Sequence, residues 1–317
     1  MPDLRLGPLG YGAANLGNLH RALSDEDAWA VMDAAWESGL RYFDTAPHYG
    51  LGLSERRLGA FLATKRRSEF VVSTKVGRLL RPDPGGTGLD LANDFVVPAD
   101  TTRVWDLTAD GVRRSLDDSL TRLGLDRVDV VYVHDPERHD LEQGLAEALP
   151  AAAALRDEGV VSAVGVGSMD TAALAAAART GLPDLLMVAG RLTLLDQSAA
   201  TEVLPLCRSH GVGVVAAAVF NSGLLATDEP ADGALFDYEP APPALLDRAR
   251  RIAALCRDHG VPLPAAALQY PLRETTVAAV VVGGATPDQV RDNGRRLGDP
   301  VPAALWDDLR DEGLVAA

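Results

Sequence analysis

The chain has 317 residues, 47% of them hydrophobic and 24% charged, a globular composition that excludes a disordered or collagen-like chain. Its 45 acidic against 30 basic side chains leave a formal charge of −15, which disfavours a nucleic-acid phosphate backbone or an anionic membrane as partner. Two cysteines, Cys207 and Cys256, make neither a disulfide framework nor a thiolate-rich metal site.

Met1–Arg5 has no basic flank leading into a long apolar run, so no secretory leader is expected. No stretch reaches about 18 apolar residues without Gly or charge, the length a bilayer span needs. A soluble, cytoplasmic protein with one domain over 1–317 is expected. Pro8–Tyr11 is the first predicted strand. Ser24 then caps a predicted helix over Asp25–Ser38, with Asp27 three residues on. Strands follow at Arg41–Asp44 and Phe70–Thr74. Thr108 opens a helix over Ala109–Leu123, ended by Gly124. The remaining strands are Val128–Val133, Ser162–Val166, Asp184–Val188, Val212–Ala217 and Ala278–Val282. Several are almost wholly apolar, as strands covered on both faces are. Ala151–Ala154 and Ala172–Ala178 read as close-packing helix faces. Gly39, Gly159, Gly211 and Gly260 close helix-like runs. Near the end, Thr286 caps a helix with Pro287 at its first position, and Gln289 completes a capping box.

Eight strands alternating with helices predict a closed (β/α)8 TIM barrel with long loops at its C-terminal face. The doubly wound rival announces itself with Gly-x-Gly-x-x-Gly after the first strand. Gly7, Gly10, Gly12 and Gly17 miss that spacing. Two long gaps, Gly77 to Trp105 and Phe220 to Ala244, both follow a strand C-terminus and are expected to wall or cover the site.

Polar residues gather at those strand ends. Asp44 leads into Thr45-Ala46-Pro47-His48-Tyr49-Gly50, Lys75 follows the third strand, and His134-Asp135-Pro136 follows the fourth. Each has a bland reading: a cap, a surface charge, a loop fastener, a packed aromatic. At one barrel mouth they make a coherent set. A phenol is a weak acid at neutral pH, and a neighbouring ammonium is expected to lower its pKa. Asp44 can hold that ammonium and His134 can orient a substrate oxygen. Such a proton shuttle suits carbonyl reduction or alcohol oxidation, whose hydride needs a cofactor. His134, Asp135, Glu137 and His139 also cluster, but the spacing is no His-Glu-x-x-His motif and Pro136 interrupts a helix, so no metal is expected.

With Phe43-Asp44-Thr45-Ala46-Pro47-His48-Tyr49-Gly50, Ser54-Glu55, Lys75 and His134 in place, the chain resembles the aldo-keto reductase family from about Leu6 to about Leu297. The resemblance implies a barrel that binds extended NAD(P)H without a Rossmann domain. It places catalytic roles on Asp44, Tyr49, Lys75 and His134, with Tyr49 the acid in reduction and the base in oxidation. Ala189–Gln197, Val219–Leu225 and Val133–Glu137 resemble the family's sugar dehydrogenases. These are L-fucose or D-threo-aldose 1-dehydrogenases, with pyridoxal 4-dehydrogenase beside them, and they act on cyclic hemiacetals. The implied activity is NAD-dependent oxidation of an aldose at C1 to its lactone. A general aldehyde or ketone reductase and a non-enzymatic cofactor-binding subunit are the alternatives.

The same resemblance implies that Phe220 stacks on nicotinamide and that Asn221, Ser222, Gly223 and Leu224 cradle the pyrophosphate. Gly283, Gly284, Ala285 and Thr286 would offer amides at a helix start, where an anion is favoured, and Asn293 would meet the adenine. Gly283, Gly284 and Gln289 stand where NADPH-dependent members carry a Lys-Ser pair and an Arg. NAD⁺ is therefore expected, with NADP⁺ the weaker partner. Met169 occupies a position commonly held by Asn against the carboxamide, with Ser168 or Gln197 as possible substitutes. Arg191 has two readings, a substrate hydroxyl contact or a structural pair with Asp170 or Asp196. His48, Trp105 and Asp135 are expected to meet the sugar, with Trp105 preferred over Phe95 and Trp29 as an aromatic wall. Asp135 and Glu137 are expected to repel anionic substrates. The partner is thus a small neutral sugar or aldehyde, and the sequence leaves monomer and dimer both open.

Overall fold

The computed structural model describes residues 4–316, so the leader reading falls partly on Met1–Asp3, outside the described residues. Eight parallel strands close into a barrel: β1 Leu9–Gly12, β2 Tyr42–Asp44, β3 Val71–Val76, β4 Val130–His134, β5 Ala163–Ser168, β6 Leu185–Ala189, β7 Gly213–Ala217 and β8 Val277–Val282. Each pairs with its neighbours in sequence order, and β8 closes on β1 through Leu9–Val280 and Tyr11–Val282. All eight lie within a residue or two of the predicted positions. The helices are α1 Asp25–Glu37, α2 Leu53–Leu62, α3 Ala109–Leu123, α4 Leu149–Asp157, α5 Thr171–Arg179, α6 Val203–His210, α7 Pro243–Asp258, α8 Leu263–Gln269, α9 Pro287–Arg296 and α10 Ala303–Asp311. None is long and apolar enough among the described residues to cross a membrane.

Local chemistry places the helix ends. Ser24, Thr108 and Thr286 each accept a backbone N–H from three residues on, filling donors the first turn leaves open. Gly39, Gly124, Gly159, Gly211 and Gly260 all have positive φ, which is how a chain leaves a helix sharply. The box at α9 is offset. Gln289 Oε1 accepts from the Ala285 amide at 2.8 Å rather than from Thr286.

The core has two layers. Tyr42, Val130, Tyr132, Leu185, Met187 and Val215 fill the barrel interior. A larger layer lies between strands and helices, where Ala152, Ala175, Ala177 and Ala178 are fully buried and let α4 and α5 lie close against the barrel strands. The gap after β3 is an antiparallel hairpin of Arg78–Pro82 with Thr101–Trp105. The gap after β7 holds a short hairpin of Leu235–Phe236 with Glu239–Pro240.

Candidate active site

Asp44, at the end of β2, is 3% exposed. It accepts from Ser73 Oγ at 2.7 Å and from Lys75 Nζ at 2.6 Å. Lys75 also donates to the Thr45 carbonyl at 3.0 Å and to the Tyr49 hydroxyl at 3.1 Å. His134 ends β4, with its ring perpendicular to Tyr49 and the ring centres 6.1 Å apart. The barrel thus brings together the phenol, ammonium, carboxylate and imidazole picked from the sequence. Ser54 and Glu55 serve this arrangement from behind. Ser54 Oγ donates to the Ala13 carbonyl at 2.7 Å, and Glu55 accepts from Thr74 and Arg122 at 2.7 and 2.6 Å. Gly17 matters sterically, because a Cβ there would lie 2.6 Å from the Tyr49 carbonyl carbon.

Burial alone would depress the Lys75 ammonium, but Asp44 and Tyr49 outweigh it and hold its pKa above the usual value. Tyr49 departs from expectation. Burial is the largest influence and pushes its pKa up, while Lys75 pulls it down without prevailing. The ammonium is already neutralised by Asp44, so the phenol stays protonated at neutral pH. His134 is held well below its usual value by burial, then by Arg78, Lys75, His48 and Arg138. Burial, with Arg78, Arg103, Arg138 and Lys75, lowers His48 to about 2. Both imidazoles are neutral.

A polar cavity of about 540 Å³ opens against the hairpin, lined by His48, Arg78, Asp90, Arg103, Trp105 and Arg138 among others; it meets the Asp44, Tyr49, Lys75 and His134 group through His48 and Arg78 rather than being lined by it. His48 Nδ1 is buried and has no partner. Arg103 donates to Asp90 at 3.0 and 2.6 Å and to the His48 carbonyl at 2.8 Å, tying the hairpin to the Tyr49 loop. Phe95 sits on His48 and Tyr49, with ring centres 5.5 and 6.2 Å away. Trp105 lines the cavity between the Arg78 guanidinium at 4.2 Å and the His139 ring at 5.2 Å. Trp29 packs on Phe61 of α2, away from the mouth.

The charges around the mouth are largely paired. Asp135 is engaged by Arg78 at 2.9 Å, and Glu137 accepts from Ser168 Oγ at 2.6 Å. Asp135 is thus paired with a cation, whereas Glu137 has only a neutral hydroxyl on one oxygen, and its Oε2 is buried without a partner. Arg191 binds Asp237 at 3.2 and 2.6 Å and Asp196 at 3.4 Å. Its guanidinium fastens the loop after β7, which agrees with the structural reading through Asp196, while Asp170, the other partner that reading named, instead caps α5.

The aldo/keto reductase family matches residues 8–309. The chain belongs to that family. It is 58% identical over 314 residues to a D-threo-aldose 1-dehydrogenase from Pseudomonas sp, covering 98% of this chain and 95% of that protein. It is 37% identical to a pyridoxal 4-dehydrogenase from Microbacterium luteolum, covering 99% and 96%. Among solved structures, an aldo-keto reductase from Bacillus halodurans in its holo form superposes with a TM-score of 0.75 at 27% identity, covering 98% of this chain and 93% of that one. This aldo/keto reductase is accordingly an NAD(P)-dependent oxidoreductase.

The residues at the mouth fit a nicotinamide dinucleotide. Asn221 is 2% exposed, donates to the Gly190 carbonyl at 3.3 Å, and leaves Oδ1 buried without a partner. Ala218, Asn221, Ser222 and Gly223 have φ of 53, 46, 56 and 94°, a backbone of the kind that curls into anion-holding concavities. Ser222 Oγ accepts from the Tyr238 amide at 3.0 Å. Leu224 is buried and Phe220 half-buried beside this turn. Across the mouth, Tyr11 donates to the Gly284 carbonyl at 2.9 Å and Asn293 to the Gly283 carbonyl at 3.3 Å. A Cβ on Gly284 would stand 2.7 Å from a Val290 methyl. The Ala285 amide is already engaged by Gln289, so it is not a free phosphate donor. Ser168 is held by Glu137 and the Asp170 amide. Gln197 spends its NH₂ on the Thr193 and Leu194 carbonyls, leaving its carbonyl oxygen.

Sequence reasoning missed Arg78, Arg103, Asp237 and Arg21. Arg21 donates to the Ala285 carbonyl at 2.7 Å across 264 residues. For Arg78 there was a signal: it lies three residues after Lys75, next to Gly77.

Proposed function

We propose that this aldo/keto reductase is an aldose 1-dehydrogenase that prefers NAD⁺ and oxidises L-fucose or a related D-threo-aldose at C1 to the lactone. The observation that carries the reading is the Tyr49 hydroxyl 3.1 Å from Lys75, with His48, the residue before Tyr49, lining a cavity of guanidinium, imidazole and carboxylate groups. Such walls suit a polyol, and the 58% identity to a D-threo-aldose 1-dehydrogenase points the same way.

The sugar binds as a cyclic hemiacetal with its C1 hydroxyl between Tyr49 and His134. Tyr49 as phenolate takes the hydroxyl proton, and the C1–H bond gives up its electron pair as the C1–O double bond forms. Bound NAD⁺ supplies the hydride acceptor. Lys75 lowers the cost of the phenolate and Asp44 holds Lys75 in place. Neutral His134 donates to the C1 oxygen and orients it. Phe220, Asn221, Ser222, Gly223 and Leu224 would hold the nicotinamide and pyrophosphate. Gly283, Gly284, Thr286, Gln289 and Asn293 would hold the adenosine.

The NAD⁺ preference rests on the uncharged Gly283, Gly284 and Gln289. Arg291, the nearest cation in α9, is directed at Asp288 and Glu37. Initial rates with NAD⁺ and NADP⁺ against L-fucose, D-arabinose, L-galactose, pyridoxal and a simple alcohol test the reading. Fast NADH formation with L-fucose or its relatives is expected. Pyridoxal presents a similar hemiacetal, and the 37% identity to a pyridoxal 4-dehydrogenase makes it the second reading. Better turnover of simple aldehydes with NADPH would replace both by a general reductase.

A further inference from the structure

Gly77, with φ of 105°, turns the chain out of β3 and into the hairpin. As a result Lys75 and Arg78 both project into the mouth. Arg78 is 5% exposed, and Trp105 covers its face at 4.2 Å. Its two terminal nitrogens go to adjacent residues at the end of β4. Nη1 lies 3.4 Å from His134 Nδ1, and Nη2 donates to Asp135 Oδ2 at 2.9 Å. Asp135 has φ of 43°, which swings its carboxylate alongside the imidazole. The same Oδ2 lies 3.6 Å from His134 Nε2, beyond hydrogen-bond reach.

We infer that Arg78 is a positioning residue that fixes His134 as the Nε2-protonated tautomer and keeps that proton available to the sugar oxygen. Arginine has only N–H donors and does not deprotonate. The histidine nitrogen facing it must therefore accept, and Nδ1 carries the lone pair. A neutral imidazole then bears its hydrogen on Nε2. The second arm of the guanidinium holds the Asp135 carboxylate 3.6 Å from Nε2, just short of capturing that hydrogen. Without Arg78, Asp135 is free to accept from Nε2 or to pair with an imidazolium. His134 would then face the substrate with its donor diverted.

The inference builds on the proposed dehydrogenase mechanism, but its main readout needs no substrate. The groups facing His134 are Arg78 and Lys75 from β3 and its hairpin, His48 and Tyr49 from the loop after β2, and Asp135 and Arg138 beyond β4. Ring-nitrogen NMR on ¹⁵N-histidine-labelled protein separates six histidines, with His134 assigned by the signals lost in His134→Gln. In the unaltered protein Nδ1 should appear unprotonated and Nε2 protonated throughout the mildly acid to neutral range. In Arg78→Met the His134 signals should change to mixed tautomers or take a second proton on acidification. kcat/KM for the aldose should fall on the order of 10- to 100-fold, with the KM for NAD⁺ unchanged and a new acid-side inflection in the pH profile. Arg78→Lys, which keeps a charge but not the fork, should recover part of the loss.

A protonated Nδ1 in the unaltered protein would overturn the inference even if Arg78→Met does not fold. Lost activity with an unchanged His134 tautomer would also overturn it and leave Arg78 a scaffold residue. An unaltered protein that is inactive on every sugar but shows the expected tautomer would instead count against the dehydrogenase reading alone.

Discussion

The Lys75 ammonium lies 3.1 Å from the Tyr49 hydroxyl, yet the phenol is harder to ionise than in water because burial outweighs the cation. Tyr49 is thus an acid at rest and a base only as pH rises. Aldose oxidation should therefore accelerate from neutral pH up to and past about pH 10, the ordinary tyrosine value that Tyr49 lies above. Carbonyl reduction should stay flat over the same range and then fall. Parallel pH profiles of kcat/KM in both directions check this, and oxidation that slows between neutral and mildly alkaline pH contradicts it.

Tyr49→Phe removes the proton shuttle and little else. Its kcat should drop by about 10²- to 10⁴-fold, the usual worth of a positioned acid–base group. Cofactor affinity, read by fluorescence titration, should hold. Full activity in this variant would remove Tyr49 from the mechanism.

Lys75→Met strands the buried Asp44 carboxylate, which is expected to destabilise the protein by about 3–5 kcal/mol. It should also displace the alkaline limb of oxidation to higher pH, because the one group pulling the phenol down is gone. Adding Asp44→Asn should restore much of the melting temperature without restoring activity. Recovery of both together would mean that Lys75 acts only through folding.

His48 presents an unpartnered buried nitrogen beside the cavity. Substituting His48→Ala should raise KM for the sugar by roughly 10-fold or more, the scale of one lost hydrogen bond to a polar ligand, and leave KM for NAD⁺ alone. Steady-state kinetics with both substrates varied decides it.

Arg191 is saturated by Asp237 and Asp196. Arg191→Ala should leave the sugar KM nearly unchanged while exposing the loop after β7 to limited proteolysis between 227 and 242. A large, selective rise in sugar KM would restore the alternative role as a hydroxyl contact.

Strand positions, helix caps and the residues Asp44, Tyr49, Lys75 and His134 were legible because each follows from local pattern: alternation or apolar runs, a capping side chain, a polar residue just past a strand. A barrel turns those local facts into one place, since parallel strands put all their C-terminal ends on the same face. The eight strands and the shared mouth therefore needed no knowledge of distant contacts.

The tertiary structure decided which charges meet. Arg78 reaches Asp135 across 57 positions, and Arg191 reaches Asp237 across 46. A charged side chain can satisfy any opposite charge within reach, so sequence spacing does not choose among them. The Tyr49 balance is of the same kind. Whether burial or a neighbouring ammonium wins depends on how much water the closed barrel removes and on how fully Asp44 has already neutralised that ammonium, and both are properties of the assembled fold.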